Sequence, residues 1–474
     1  MKGIRIIQTL AKNTFHNYSC PLIFYHRHLY MPFRKLIKID NVSDVTRSMY
    51  NCIEKMYPIC RSITGDGIRK SLVILKNIIP LNIIETKTGT QVYDWKVPDE
   101  WNINDAYICN SKGEKIIDFQ EMNLHVVNYS DPIHKRITLR KLKQHCYSIP
   151  EHPDWIPYRT TYYNRSWGFC LSDNLLNSLP EDEYEVFIDS TLKPGFLTYG
   201  EYLIKGESKD EVLIYSHICH PSLCNDNLSG LSVASHLAKQ LQQQNLRYSY
   251  RFVFGPGTIG SITWLSQNED IIANIKHGLV IVLVGDANYL TYKKSRNGNS
   301  EIDRAVLTAL KDHKNTYNIL DFTPYGYDER QFCSPGINLP VGRLTRSVEG
   351  GYPEYHTSAD NLDFIKKESL QESLLVCIDI VNIIENNHYL LNTNPKCEPQ
   401  LGKRGLYKKT GGSNNVNLNE LALLWVLNLS DGSHDLIKIA KKSGLSFHEI
   451  YTAAKELYRV GLLTVMNDQE KRSI

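Results

Sequence analysis

The stretch Glu211–Leu241 reads EVLIYSHICHPSLCNDNLSGLSVASHLAKQL. It begins with an apolar run, continues with a polar segment that holds two histidines, two cysteines and one aspartate, and ends with apolar residues at helical spacing. This order predicts a buried strand, a loop and a helix. Ligands in α/β sheets bind beyond the carboxyl ends of the strands. The stretch therefore predicts an α/β fold and a candidate site in the loop 216–230.

The same alternation continues over residues 182–395. Short apolar, β-branched runs predict strands at YEVFID, EVLIYS, YRFVFG, GLVIVLV and LPVGRL. Between them, GLSVASHLAKQLQQQ and SLQESLLVCIDIVNIIENN have the apolar spacing of helices. Strands that alternate with helices indicate a mostly parallel sheet that is covered by helices on both faces.

The sequence predicts three further regions around this α/β domain, which we place at residues 39–96 and 181–396. Residues 1–38 carry no acidic residue and form a basic extension, which is either an anchor or targeting segment or precedes a true start at Met31. Residues 97–180 predict an inserted β-rich domain, since short strands are broken by turn signals. After a Gly- and Lys-rich linker, residues 415–474 predict three short helices and a strand, the pattern of a winged helix.

Composition excludes several classes of function. The net charge is +3 over 474 residues, so no strong field favours nucleic acid or an anionic membrane. No apolar run reaches the roughly 18 residues that span a bilayer. The 11 cysteines are an odd number without closely paired spacing, which favours free thiols and a cytoplasmic protein.

The loop 216–230 contains the residue types of a hydrolytic zinc site. His217, His220 and Asp226 supply imidazoles and a carboxylate at the end of a strand, as such a site requires. The alternative is a histidine-containing turn in which Asp226 caps the following helix.

Three later segments add candidate residues, each with a structural alternative. His356 lies in HTSADN, where Asp360 is positioned to accept its second ring N–H, and the same segment reads as a helix N-cap. Asp286 ends the run GLVIVLVGD as a ligand carboxylate or as part of a strand-end turn. In YGYDERQF, Arg330 is a candidate for holding a substrate carboxylate, or it pairs with Glu329.

These motifs together resemble the co-catalytic zinc aminopeptidases. More closely, the chain resembles a bacterial family of aminopeptidase-like proteins with an inserted β domain and a C-terminal winged helix, often encoded in surface-polysaccharide gene clusters. The resemblance covers roughly residues 42–474 and is carried by SHICHPSLCNDNLSG, GTIGSITWLS, DERQFCSPGINLPVGRL, YPEYHTSADNLDF, RSITGDGIRKSL, VPDEWNINDAYI, NLHVVNYSDP, IPYRTTYYNRSWGFCLS and TYGEY.

The resemblance implies a site with one or two zinc ions. Either His217 or His220 would be a ligand, with His220 favoured, and Asp226 would bridge two metals. Asp286 would serve the second metal, and His356 would complete the first.

One position departs from the family pattern Pro-Glu-Thr-Ile-Gly-Ser, because this chain has Pro256-Gly257-Thr258. The zinc aminopeptidases place their general base in this region, and a glycine cannot accept a proton. Losing a general base costs on the order of 10²–10⁴ in rate. Glu329 and Glu354 are the candidate replacements.

The resemblance therefore implies a metal-dependent aminopeptidase-like hydrolase of a peptide or amide bond, with activity that is reduced or lost at Gly257. The alternatives are a non-catalytic binding or scaffold protein of surface-polysaccharide biosynthesis and a winged-helix DNA-binding regulator. The candidate recognition helix SFHEIYTAAKELYRV holds only Lys455 and Arg459 as cations, which favours a protein partner over nucleic acid. A homo-oligomer is a further expectation.

Overall fold

The computed structural model describes residues 32–348, 350–406 and 418–466. The described residues from Phe33 onward form one compact unit. Its α-helices are α1 Val42–Met56, α2 Asp66–Lys76, α3 Leu139–Leu142, α4 Asp173–Ser178, α5 Gly230–Leu241, α6 Ile259–Gln267, α7 Glu269–Ile272, α8 Glu301–His313, α9 Glu329–Phe332, α10 Lys367–Asn386, α11 Leu418–Leu429, α12 Leu436–Ser443 and α13 Phe447–Arg459.

Its strands build one large sheet and several smaller ones. They are β1 Asn82–Lys87, β2 Gln91–Val92, β3 Trp95–Lys96, β4 Glu100–Cys109, β5 Lys115–Asp118, β6 Ile133–Thr138, β7 Cys146–Tyr147, β8 Phe169–Cys170, β9 Glu183–Lys193, β10 Phe196–Ile204, β11 Glu211–His217, β12 Ser249–Gly255, β13 Ile275–Ile281, β14 Leu290–Lys293, β15 Tyr317–Leu320, β16 Val341–Thr345, β17 Tyr389–Asn392, β18 Asp431–Asp435 and β19 Leu463–Val465.

The central sheet has eight strands in the order β1-β10-β12-β11-β13-β16-β14-β15. Its four middle strands, β12, β11, β13 and β16, run parallel. Residues of β11 and β12 are buried throughout, as expected for strands that helices cover on both faces. The predicted α/β fold with a mostly parallel sheet is confirmed, and β11 ends at His217 near the middle of that sheet.

The inserted β region forms a second sheet in the order β5-β4-β9-β6. Its strand β9 contains the run YEVFID, which the sequence pattern assigned to the α/β domain. The structure instead pairs β9 with β4 and β6, so this sheet extends to Lys193 and past the predicted boundary at residue 180. Pro157 of this region forms an antiparallel β-bridge with Thr357, and so contacts the central domain.

The C-terminal helices α11, α12 and α13 pack together beside a three-stranded sheet in the order β18-β17-β19. Ser446 caps α13 through a capping box with Glu449. No helix among the described residues is long and apolar enough to cross a membrane. The predictions for residues 1–31 of the basic extension, and those for residues 407–414 of the linker, lie outside the described residues.

Candidate metal centre

The carboxyl end of β11 and the start of α5 place the polar loop at the sheet edge. His217 is the last residue of β11, and α5 begins at Gly230 after a π-type turn over Cys224–Ser229. Two backbone N–H groups of that turn, those of Asn225 and Asp226, donate to the carboxylate of Asp360 at 2.6 and 2.9 Å. The loop is therefore held by the carboxylate of Asp360, which is 134 residues beyond Asp226 in the chain.

Three histidines surround the carboxylate of Asp226. His217 Nε2 lies 2.8 Å from Asp226 Oδ1, and His220 Nδ1 lies 3.8 Å from the same oxygen. His356 Nε2 lies 3.0 Å from Asp226 Oδ2. The His220 and His356 ring centroids are 5.1 Å apart. The structure thus brings together four of the five predicted metal-ligating residues from two distant segments.

The chemistry of this donor set fits a divalent cation such as zinc. One ligand atom each from His217, His220 and Asp226 lie within 4.8 Å of one another. Burial lowers the pKa of His220 to about 3, so its imidazole is neutral near pH 7 and able to bind a metal. Two imidazoles and a carboxylate at a strand end are the ligands that catalytic zinc uses.

Asp286 and Asp360 make different contacts from those that the sequence suggested. Asp286 Oδ2 accepts from Asn225 Nδ2 at 2.7 Å, and Asp286 Oδ1 accepts from the backbone of Asn288. Asp286 thus contacts Asn225, the residue that precedes Asp226, and its role as a ligand stays a prediction. Asp360 binds the Asp226 backbone and not His356, because the loop amides need a buried acceptor.

Glu329 and Arg330 lie at the start of α9, and their side chains have different neighbours. Glu329 is fully buried, and its Oε1 lies 2.9 Å from Lys293 Nζ and 3.3 Å from Arg343 Nη1. These cations come from β14 and β16, so Glu329 forms an internal ion pair that makes no contact with the histidines. Arg330 does not pair with Glu329, and its Nε has no hydrogen-bond partner among the described residues. Their catalytic roles remain predictions.

Gly257 lies directly beside His217. A Cβ atom at this position would be 3.3 Å from Cys219 Sγ and 3.8 Å from His217 Cβ and Cγ. The Gly257 N–H donates to Cys219 Sγ at 3.1 Å. A longer side chain at position 257 would therefore extend beside His217. Because the residue is glycine, this chain has no side chain at that position.

Three residues of the site were not identified as such from the sequence. The Tyr327 ring stacks on His217 with centroids 4.9 Å apart, and Tyr158 contacts His220 and His356 edge-on. Arg61, 1% exposed, donates from Nε to the His220 carbonyl at 2.8 Å. In the sequence, Tyr158 lies in the tyrosine-rich inserted region and Tyr327 directly follows the glycine of YGYDER. Arg61 is the first residue of the segment RSITGDG.

Comparisons with known proteins agree with this architecture. Residues 50–387 match the model of the family described as "Domain of unknown function (DUF4910)". Residues 388–465 match a winged helix-turn-helix model. The second match confirms the predicted C-terminal winged helix.

A relative from Clostridium acetobutylicum is 53% identical over 428 residues, which are 90% of this chain and 98% of that protein. It is named as a candidate polysaccharide biosynthesis protein with an aminopeptidase-like domain. A crystal structure of a candidate peptidase from the same organism is 52% identical and superimposes with a TM-score of 0.86 over 90% of this chain and 98% of that chain.

More distant structures share the fold. A zinc aminopeptidase from Bacillus subtilis is 16% identical and has a TM-score of 0.52, covering 71% of this chain and 94% of that one. Since the family model spans most of the chain and the Clostridium relative matches nearly all of it, the protein belongs to the DUF4910 family of aminopeptidase-like proteins.

Proposed function

We propose that the protein is a zinc-dependent hydrolase of a peptide or amide bond. The observation that carries this proposal is the convergence of His217, His220 and His356 on the buried carboxylate of Asp226. The aminopeptidase-like relatives support the same chemistry. Zinc, when bound, supplies the Lewis acidity that polarises a scissile carbonyl and acidifies water.

The chain's own residues hold and enclose this centre. Asp226 and the three histidines would be the ligands, and Asp360 keeps the Asp226 backbone in place through two N–H groups. The Tyr327 hydroxyl lies 3.4 Å from Asp226 Oδ2 and 3.2 Å from the Tyr355 hydroxyl. The Tyr327 hydroxyl therefore lies beside the proposed ligand Asp226, where it would orient this carboxylate by hydrogen bonding.

Gly257 supports a second candidate function, a metal-binding protein that recognises its ligand without cleaving it. No side chain at position 257 is available to take a proton, and Glu329 is engaged with Lys293 and Arg343. The name of the Clostridium relative supports polysaccharide biosynthesis as the setting for either function. An amide of an amino-sugar precursor is then a substrate class to test beside peptides.

The first experiment is metal analysis and turnover of the full-length protein. We expect at least one zinc per chain after purification without chelators, since functional zinc sites bind tightly. We also expect slow release of chromophore from aminoacyl chromogenic substrates. Less than about 0.2 zinc per chain would contradict the metal centre.

The control is the double variant Asp226→Ala with His356→Ala. It should lose both zinc and turnover, because it removes the shared carboxylate and one imidazole. Turnover that persists in this variant would rule out hydrolysis at this site. Zinc binding with no turnover on peptide or amide substrates would favour the second candidate function.

A further inference from the structure

Two buried polar atoms next to the metal centre have no hydrogen-bond partner within the part of the chain that the structure describes. They are Nδ1 of His217 and Oδ2 of Asp328. Both side chains are fully buried. Leaving such a group unsatisfied costs about 1–3 kcal/mol, so each atom points to an interaction that the protein uses in another state.

The orientation of the His217 ring decides which atom faces the cation. Its Nε2 lies 2.8 Å from Asp226 Oδ1 and so points into the donor set. Nδ1 therefore faces away from the cation position. A histidine that binds a metal through one nitrogen nearly always donates its other N–H to a carboxylate, carbonyl or water.

Asp328 offers the matching acceptor. It follows Tyr327, whose ring stacks on His217 at 4.9 Å with an interplanar angle of 15°. Its Oδ1 is already engaged, because Ser261 Oγ donates to it at 2.6 Å. The Tyr215 hydroxyl donates to the Pro256 carbonyl and also interacts with the Asp328 carboxylate. Asp328 Oδ2 has no hydrogen-bond partner among the described residues.

The imidazole and this carboxylate both border the segment 257–261. A Cβ atom at Gly257 would be 3.8 Å from His217 Cβ, and Ser261 Oγ lies 2.6 Å from Asp328 Oδ1. The N–H of Thr258 also stabilises the carboxylate. Gly257, which precedes Thr258, has no side chain to separate His217 from its surroundings and leaves space beside the ring.

We propose that Asp328 is the positioning residue of His217: its Oδ2 accepts the Nδ1–H through one ordered water and fixes the tautomer whose Nε2 binds the cation. The inference rests on the proposed zinc centre. The inference gives Asp328, the N-cap residue of α9, a role at that centre. Glu329 remains in its ion pairs with Lys293 and Arg343.

The test is Asp328→Asn in the full-length protein, with zinc alone as the probe. Ser261 and the Thr258 N–H should keep the amide oxygen, so the amide NH₂ would face Nδ1 and favour the tautomer that carries its proton on Nε2. That tautomer cannot bind zinc. We expect zinc affinity in a competition titration to fall by about 10- to 100-fold.

Two further measurements separate positioning from loss of stability. Glu385→Gln alters another buried carboxylate that accepts two backbone N–H groups, far from the centre, and should leave zinc affinity within about twofold of the wild type. The second measurement is the ¹⁵N-histidine spectrum of the zinc-loaded wild type. The signal of His217 is assigned by its loss in His217→Gln, and it should be that of an Nδ1–H tautomer.

The outcomes distinguish this inference from the proposed function. A wild type that binds no zinc would remove both. A wild type that binds zinc, with unchanged affinity in Asp328→Asn, would overturn the positioning role alone. An Nε2–H tautomer of His217 in the zinc-loaded wild type would overturn it as well, and that measurement needs no variant of Asp328 to fold.

Discussion

At the scale of single residues, Gly257 determines how the centre can act. A side chain there would lie beside His217, and the tightest contact of its Cβ with a described residue is 3.3 Å to Cys219 Sγ. A shift of a few tenths of an ångström by the thiol would accommodate it. We expect Gly257→Glu to place a carboxylate next to the metal position and to raise the rate of amide hydrolysis by about 10²–10⁴, measured as kcat on aminoacyl chromogenic substrates.

Gly257→Gln is the matched control for this substitution, because it has the same length and shape without a basic oxygen. It should leave the rate near that of the wild type. Equal rates in the Glu and Gln variants, with zinc bound in both, would show that proton transfer at position 257 does not limit this protein.

At the level of residues, the sequence could indicate side chains that lie near one another, while their role as metal ligands stays a prediction. His217, His220, Asp226 and His356 come together, because strand ends and their following loops meet at one edge of a parallel sheet. The structure shows that Asp360 accepts from two buried backbone N–H groups of the loop, which need an acceptor. No pattern in the sequence reports which amides a folded loop leaves unsatisfied.

At the scale of elements, periodicity identified strands β11, β12, β13 and β16 and helices α5 and α10, but not the sheet to which each strand belongs. Strand β9 has the same apolar character as β11, yet it pairs with β4 and β6. Strand pairing depends on contacts between residues far apart in the chain, such as Asn102 opposite Thr191. Local composition does not encode that choice.

A charged contact between Arg69 and Glu100 joins helix α2 to strand β4. Arg69 binds Glu100 through two hydrogen bonds of 2.8 and 2.7 Å, and Glu100 also accepts from the Phe196 N–H at 2.8 Å. These bonds, with the Arg69 guanidinium first, lower the pKa of Glu100 to about 2. Charge-assisted, bidentate pairs of this kind are the stronger class of hydrogen bond.

We expect Glu100→Gln to reduce the free energy of unfolding by about 2 kcal/mol near pH 7. Because the folded pKa of Glu100 lies below its unfolded value of about 4.3, this stabilisation is present above that value and is lost as pH falls toward about 2. The difference between wild type and variant in urea unfolding should therefore be smaller at about pH 3.5 than near pH 7.

Glu85→Gln serves as the control for this pair, since Glu85 contacts the same arginine at 2.7 Å but is 38% exposed. An exposed ion pair contributes about 0–1 kcal/mol. If both variants lose equal stability, the buried geometry at Glu100 is not what stabilises the junction.

At the scale of the whole molecule, the winged helix packs against the aminopeptidase-like domain. The Phe447 N–H at the start of α13 donates to Asp312 of α8 at 2.8 Å, and the Tyr451 hydroxyl donates to the Arg34 carbonyl at 2.7 Å. One face of α13 is thus buried inside the protein, which supports a structural or protein-contact role for this module. Phosphate binding would need several cations on the remaining face, which holds Lys455 and Arg459.

Arg304 links the two domains by an ion pair with Asp435, whose carboxylate is fully buried and also caps α12. We expect Arg304→Met to keep the packing but to leave this carboxylate without a cation, at a cost of about 3 kcal/mol. Amides of α12 and α13 should then exchange with deuterium faster, while those of β11 and β13 keep their protection. Arg459→Met removes an exposed pair with Glu456 in the same module and should change exchange very little. Uniformly faster exchange across the central sheet would mean that the winged helix and the aminopeptidase-like domain unfold as one cooperative unit, and that Arg304 does not control a separate docking step.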